Sequence, residues 1–310
     1  MRLLKIRSWL FKLLIFLLAW TIYILLRRRS FNTRLRSVFL IAFLIYSCYR
    51  EGVKRIKRNI ALIRPDLNEK EINRGAWRLA KTIARSWAAM IGNEFTRLED
   101  AVKRIEVENA ETLLVPYHKG KKIIAVVGHV GPVDAMVGVI PLFDLRVYFP
   151  AENIKPRWFF NYMMRLRLRF GDIIFDPIEK EKRGKTLLAA ARHLQDGRIV
   201  ALVFDVTRRD DSGIVCKIGN AKAKFSVGAA KLALEQSATI IPVFPSWREK
   251  DNKSLIVVGE PFKLIKTGNM RQDIEDNTRR LIEEVYAPHI LKNWDQWLRL
   301  LWDELEPAET

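Results

Sequence analysis

Cysteine and histidine are scarce, with two of the former and four of the latter in 310 residues. Cys48 in an apolar run and Cys216 in a polar stretch have neither disulfide-framework nor zinc-ligand spacing, so the chain is not a stapled mini-fold and fits a reducing compartment. A Gly-x-Ser-x-Gly elbow is missing, which argues against a serine hydrolase. Internal repeats, low-complexity tracts and flexible linkers are also missing. Acids are nearly absent from the first 60 positions, where fourteen Lys and Arg meet Glu51 alone, placing +13 of the net +19 there. The other 250 residues carry only +6, a skew that argues against a nucleic-acid surface spread over the body.

That basic segment flanks the most hydrophobic part of the chain. From Leu13 to Leu26 every residue is apolar except Thr21, and a snorkelling Lys12 extends the run back to Trp9. Arg27, Arg28 and Arg29 follow directly with no small-residue cleavage site, so the run reads as an uncleaved membrane anchor rather than a signal peptide. A second apolar run, Val38 to Tyr49, is too short to cross alone and reads as interfacial, re-entrant or packed against the body. Positive charge on both flanks leaves orientation open, and it suits an anionic lipid surface. We therefore expect residues 1–50 to form an anchor and interfacial segment, and residues 51–310 a single globular domain.

Between Glu51 and about Pro116 the pattern is helical. Ile56, Ile60 and Ile63, then Ala76, Leu79, Ala80, Ile83 and Trp87, recur at three- and four-residue spacing. Pro65 divides two helices, and Asn68 with Glu71 forms a capping-box signature for the second. From residue 117 onward short β-branched runs take over: 122–127, 145–148, 172–175, 199–204, 239–244 and 255–258. Helical stretches at 185–194, 227–236 and 271–287 lie between several of them. The alternation predicts an α/β fold with a mixed sheet covered by helices, its site beyond the carboxyl ends of strands.

The first of those strands runs into Gly128-His129-Val130-Gly131-Pro132-Val133-Asp134. A helix beginning near Pro132 would turn Asp134 back toward the imidazole. Asp134 would then hold one ring nitrogen and leave the other free to take a proton. Gly128 and Gly131 permit the tight path and close approach of a substrate. A structural histidine capping a turn would show the same spacing. Downstream, Arg165, Arg167 and Arg169 alternate with Leu166 and Leu168 behind a stretch of aromatics, a pattern suited to a membrane-facing entrance, to gripping phosphates, or to an ordinary amphipathic face. Asp205 ends another strand, placed either to support the site or to cap a loop. His118, His193 and His289 have no acid at that spacing.

The Gly-His-Val-Gly-Pro-Val-Asp segment resembles the His-four-residues-acid signature of the lysophospholipid acyltransferase superfamily. The similarity is to the branch of bacterial lipid A biosynthesis (late) and phosphatidylinositol mannoside acyltransferases. It extends over most of the chain, through Arg58-Asn59-Ile60 with Pro65, Arg167 and Arg169 before Phe170-Gly171, Asp205, Gly219 with Ala221, and Ile241-Pro242-Val243-Phe244. It departs at Pro132-Val133, where members commonly carry Asn-Trp, and in having Asp rather than the frequent Glu. The resemblance implies a glycerolipid acyltransferase-like fold and metal-free acyl transfer needing no cofactor. The donor would be the acyl thioester of acyl carrier protein or of coenzyme A and the acceptor a membrane lipid or glycolipid hydroxyl, at the cytoplasmic face of the inner membrane. His129 would be general base with Asp134 as its partner, and Gly131, Arg167, Arg169 and Asp205 would contact substrate. A thioesterase on the same scaffold and a non-catalytic basic membrane-binding protein are the competing readings.

Overall fold

The computed structural model describes residues 29–308 other than 31–32, 35, 38–39, 41–47, 94–95, 153–155, 179–182, 207–212 and 252. The expected anchor at residues 9–26 lies outside the described residues, as does most of the second apolar run. Among the described residues no helix is long and apolar enough to cross a membrane.

Among the described residues the first fully described elements are α1 (Arg50–Ile63), α2 (Glu69–Asn93) and α3 (Leu98–Val102), followed by β1 (Ile105–Glu108), α4 (Glu111–His118) and β2 (Ile123–Val127). A 3-10 turn at Val133–Gly138 leads into α5 (Val139–Leu142), β3 (Val147–Glu152), α6 (Arg157–Leu168) and β4 (Ile173–Ile178). Then come α7 (Arg183–Gln195), β5 (Ile199–Val203), β6 (Gly213–Ile218), β7 (Ala221–Ser226), α8 (Gly228–Gln236), β8 (Thr239–Arg248) and β9 (Lys253–Val258). The end of the chain forms α9 (Met270–Arg280), a π-turn, α10 (Ala287–Lys292), α11 (Arg299–Trp302) and the short β10 (Glu306–Pro307).

Seven strands form one sheet in the order β1-β9-β8-β2-β5-β3-β4, and β10-β7-β6 form a small second sheet. β8, β2, β5, β3 and β4 run parallel, while β9 pairs antiparallel to β8 and carries β1 beside it. The sheet is therefore mixed, as expected. β2 sits at its centre with all five residues buried, which is why its sequence is an unbroken apolar run. On one face Ile124, Val126, Val200 and Ile240 pack against α1, α2, α7 and α8. On the other, Ile123, Ala125, Val127 and Ala201 face α4, the 3-10 turn and α5.

Local signals explain the lead-in helices. Ile56, Ile60 and Ile63 form the buried stripe of α1. The Asn68 backbone N–H donates to the Glu71 carboxylate at 2.9 Å and the Glu71 N–H donates to the Asn68 side chain at 3.0 Å, a reciprocal capping box that starts α2. Within the stretch read as helical, residues 105–108 instead form β1, whose outward residues are polar because it is an edge strand. The buried Asn59 of α1 donates to the carbonyls of Leu300 at 3.0 Å and Asp303 at 2.7 Å and accepts from the Leu305 N–H at 3.2 Å. One polar side chain thus fastens the C-terminal segment to the body.

Candidate active site

His129 lies two residues beyond the end of β2, and Asp205 two residues beyond the end of β5. The two strands are neighbours with Val127 paired to Val203, so equal offsets bring the two side chains together. His129 Nδ1 is 2.7 Å from an Asp205 carboxylate oxygen, and the other oxygen accepts the His129 backbone N–H at 2.8 Å. Asp205 is fully buried while the His129 side chain is 28% exposed, so the pair has a shielded acid and an imidazole reachable from outside.

The electrostatics follow from this burial. Burial pushes the His129 imidazole down, but the charge and hydrogen bond of Asp205 outweigh it, with Asp134 adding and Arg167 subtracting, so the ring is held above its ordinary 6.5. Burial likewise pushes Asp205 up, but His129, the Trp297 indole and Arg299 together hold it below the usual carboxylate value.

Asp134, which the five-residue spacing pointed to as the ring's partner, does not hold Nδ1. The 3-10 turn at Val133–Gly138 carries its carboxylate across to α6, where Arg167 Nε donates to it at 2.8 Å. Both partners are mostly buried, and the pair lies in the wall of a cavity of about 860 Å³, counting its open mouth. The remaining lining is apolar, supplied by the sheet, by α4 and by the 3-10 turn and α5 that continue from the His129 loop. Arg169 is exposed, with its guanidinium 3.4 Å from the Thr96 carbonyl, and does not line the cavity. Gly131 adopts φ +67°, and a Cβ there would come within 2.8 Å of the Ser246 backbone. Its glycine identity is therefore accounted for by packing of the loop on β8 as well as by turn geometry.

A further set of residues gave no sequence signal. The segment from Trp294 to Trp302 lies along the His129 loop. Its Gln296 carbonyl accepts the Gly131 N–H at 2.9 Å, and its Leu298 N–H donates to the His129 carbonyl at 2.8 Å. The buried Trp297 indole donates to Asp205 at 2.9 Å, and Trp302 presents a ring perpendicular to the imidazole with centroids 5.3 Å apart. Gln296 exchanges hydrogen bonds with the backbone of Trp247 on β8, locking this segment in place. Among the described residues no cluster of three or more His, Cys, Asp and Glu side chains is placed to hold a metal ion.

A family model described as bacterial lipid A biosynthesis acyltransferase matches residues 1–302. No curated protein matches the chain.

Proposed function

Because the chain belongs to the bacterial lipid A biosynthesis acyltransferase family, we propose that this acyltransferase moves a fatty acyl group from a thioester to a hydroxyl of a lipid A precursor or related glycolipid, with His129 as general base and Asp205 behind it. The donor is the acyl thioester of acyl carrier protein or of coenzyme A. The observation that carries the reading is the buried carboxylate 2.7 Å from Nδ1 of a part-exposed imidazole, whose loop continues into the wall of an apolar cavity through Val133 and Asp134.

In this reading the cavity takes the acyl chain and its Asp134–Arg167 wall meets the polar thioester end. Nε2 of His129 removes the proton of the acceptor hydroxyl as its oxygen attacks the thioester carbonyl. The tetrahedral adduct then expels the thiolate, breaking the C–S bond, and the imidazolium returns its proton to sulfur. Asp205 fixes the Nδ1–H tautomer and stabilises the transient imidazolium, as the carboxylate of a triad does when the substrate supplies the nucleophile. Asp134 positions Arg167 at the mouth, where a fixed guanidinium favours the anionic adduct. Exposed Arg157 and Arg165 on α6 and Arg169 just beyond its end, together with the exposed Trp158 and Leu168, suit an anionic lipid surface or the phosphates of a substrate. Anchoring by residues 9–26 in the cytoplasmic membrane would hold that surface against its acceptor.

The test is acyl transfer by membranes carrying the protein, given labelled acyl-carrier or acyl-coenzyme A thioester and native lipids. Labelled glycolipid is the expected product. Release of free fatty acid alone would favour the thioesterase reading.

The Trp297 indole gives a subtler prediction. Trp297→Phe keeps most of the bulk but removes a donor to a buried carboxylate, a hydrogen bond worth about 1.5–3 kcal/mol. Transfer should fall by about ten- to a hundredfold if that bond is fully expressed in the rate. The acid limb of the pH–rate profile should move to higher pH, because a carboxylate with one donor fewer attracts the imidazolium proton more strongly. A lowered rate with an unmoved limb would reduce Trp297 to a packing residue.

A further inference from the structure

The cavity is floored by two central strands that share an irregularity. Strands buried on both faces are mostly β-branched, and alanine is depleted in strands. β2 reads Ile-Ile-Ala-Val-Val and β5 reads Ile-Val-Ala-Leu-Val, so each has alanine at its third position. Register sets Ala125 directly beside Ala201. Both line the cavity, and they retain 7% and 9% exposure where Val127 and Ile199 on the same face have 1% and 2%. The space over the two methyl groups is therefore cavity rather than packed side chain. Met136 and Val139 of the segment that continues from His129 line the same cavity. Ala125 lies four residues before His129, roughly 13 Å along an extended strand, so the alanine pair sits well below the imidazole.

We infer that Ala125 and Ala201 form the waist of the acyl pocket and set the length of chain the enzyme transfers. The inference rests on the acyl-transfer reading and names what that reading leaves open: the occupant is a single unbranched acyl chain that passes over the two alanine methyl groups, and its length is limited by the room there. A branched aliphatic residue at either position, as on the rest of these strands, would close the passage. A chain reaching beyond the waist would then lose the burial of every methylene past it.

The experiment compares the wild-type protein with the series Ala201→Cys, Ala201→Val and Ala201→Leu, and with Ala125→Val, all in membranes at matched protein levels. Each receives a graded series of saturated acyl thioesters on whichever thiol supports transfer by the wild type. The expected result is a fall in the ratio of long-chain to short-chain kcat/KM, steepening from Cys to Val to Leu. A buried methylene is worth about 0.8 kcal/mol, so each one excluded lowers kcat/KM by about fourfold. Ala201→Cys adds a single atom and keeps the test open if the larger residues prevent folding. An unchanged ratio in a variant that transfers acyl groups overturns the inference and leaves the acyl-transfer reading standing. A wild type that transfers no chain of any length overturns the reading itself.

Discussion

Replacing His129 with alanine should lower acyl transfer by about 10²–10⁴-fold, the usual contribution of a positioned general base, while leaving the protein folded. Folding should survive because the structural bonds at this position belong to the backbone. The His129 N–H still reaches Asp205 and its carbonyl still accepts the Leu298 N–H. The buried carboxylate keeps two donors, that N–H and the Trp297 indole, and is not left as an uncompensated charge. The imidazole is partly exposed, so its removal opens space toward solvent rather than a void in the core. Membranes carrying equal amounts of wild type and His129→Ala, assayed with labelled thioester and native lipid, give the comparison. Normal transfer by the variant would show that the proton leaves the acceptor hydroxyl by another route.

The parts of the fold that were legible in the sequence are those whose residues are buried on both faces. β2 and β5 appear as unbroken apolar runs, and β8 as one from Ile240 to Pro245, because helices cover the sheet on either side. The second helix was legible from the two residues of its capping box. β1 was not, since Ile105-Glu106-Val107-Glu108 is a short, half-exposed edge strand inside a long helical pattern. Nor was the hairpin of β6 and β7, where lysines alternate with alanines along β7 and only Cys216, Ile218, Ala221 and Phe225 are buried in the core.

The site divides in the same way. His129 at a strand end between glycines can be found by reading along the chain, as can Asp205 at the end of a second strand. Their pairing cannot, because it depends on β5 lying beside β2 with Val203 opposite Val127, while β3 and β4 intervene in sequence. Local spacing favoured Asp134, and only the 3-10 turn reveals that its carboxylate is directed to Arg167. Trp297 is more distant still, reaching Asp205 through a segment that Asn59 and Gln296 tie down. It has no motif, and only long-range packing brings its indole to the acid.

Asp205→Asn tests that long-range pairing most directly, because Asp205 acts on the reaction only by way of the imidazole it holds. An asparagine occupies the same space and still accepts hydrogen bonds, yet it carries no charge to stabilise the imidazolium and no longer enforces the Nδ1–H tautomer. Transfer should fall on the order of 10³–10⁴-fold, the scale on which neutralising the acid behind a catalytic imidazole costs rate. The pH dependence separates this from general damage. In the wild type the base must be neutral and its pKa is held above 6.5, so activity should rise with pH through a midpoint above that value. Without Asp205 the largest remaining influence on the ring is burial, which lowers its pKa, joined by Arg167 lowering it and Asp134 raising it. The midpoint should therefore move to lower pH in the variant, and the remaining activity at acidic pH should be a larger fraction of its own plateau than in the wild type. Titrating transfer against pH for both proteins, with thermal melting as the check on folding, measures the shift. A folded variant with wild-type rate and an unmoved midpoint would mean that Asp205 does not hold the working imidazole.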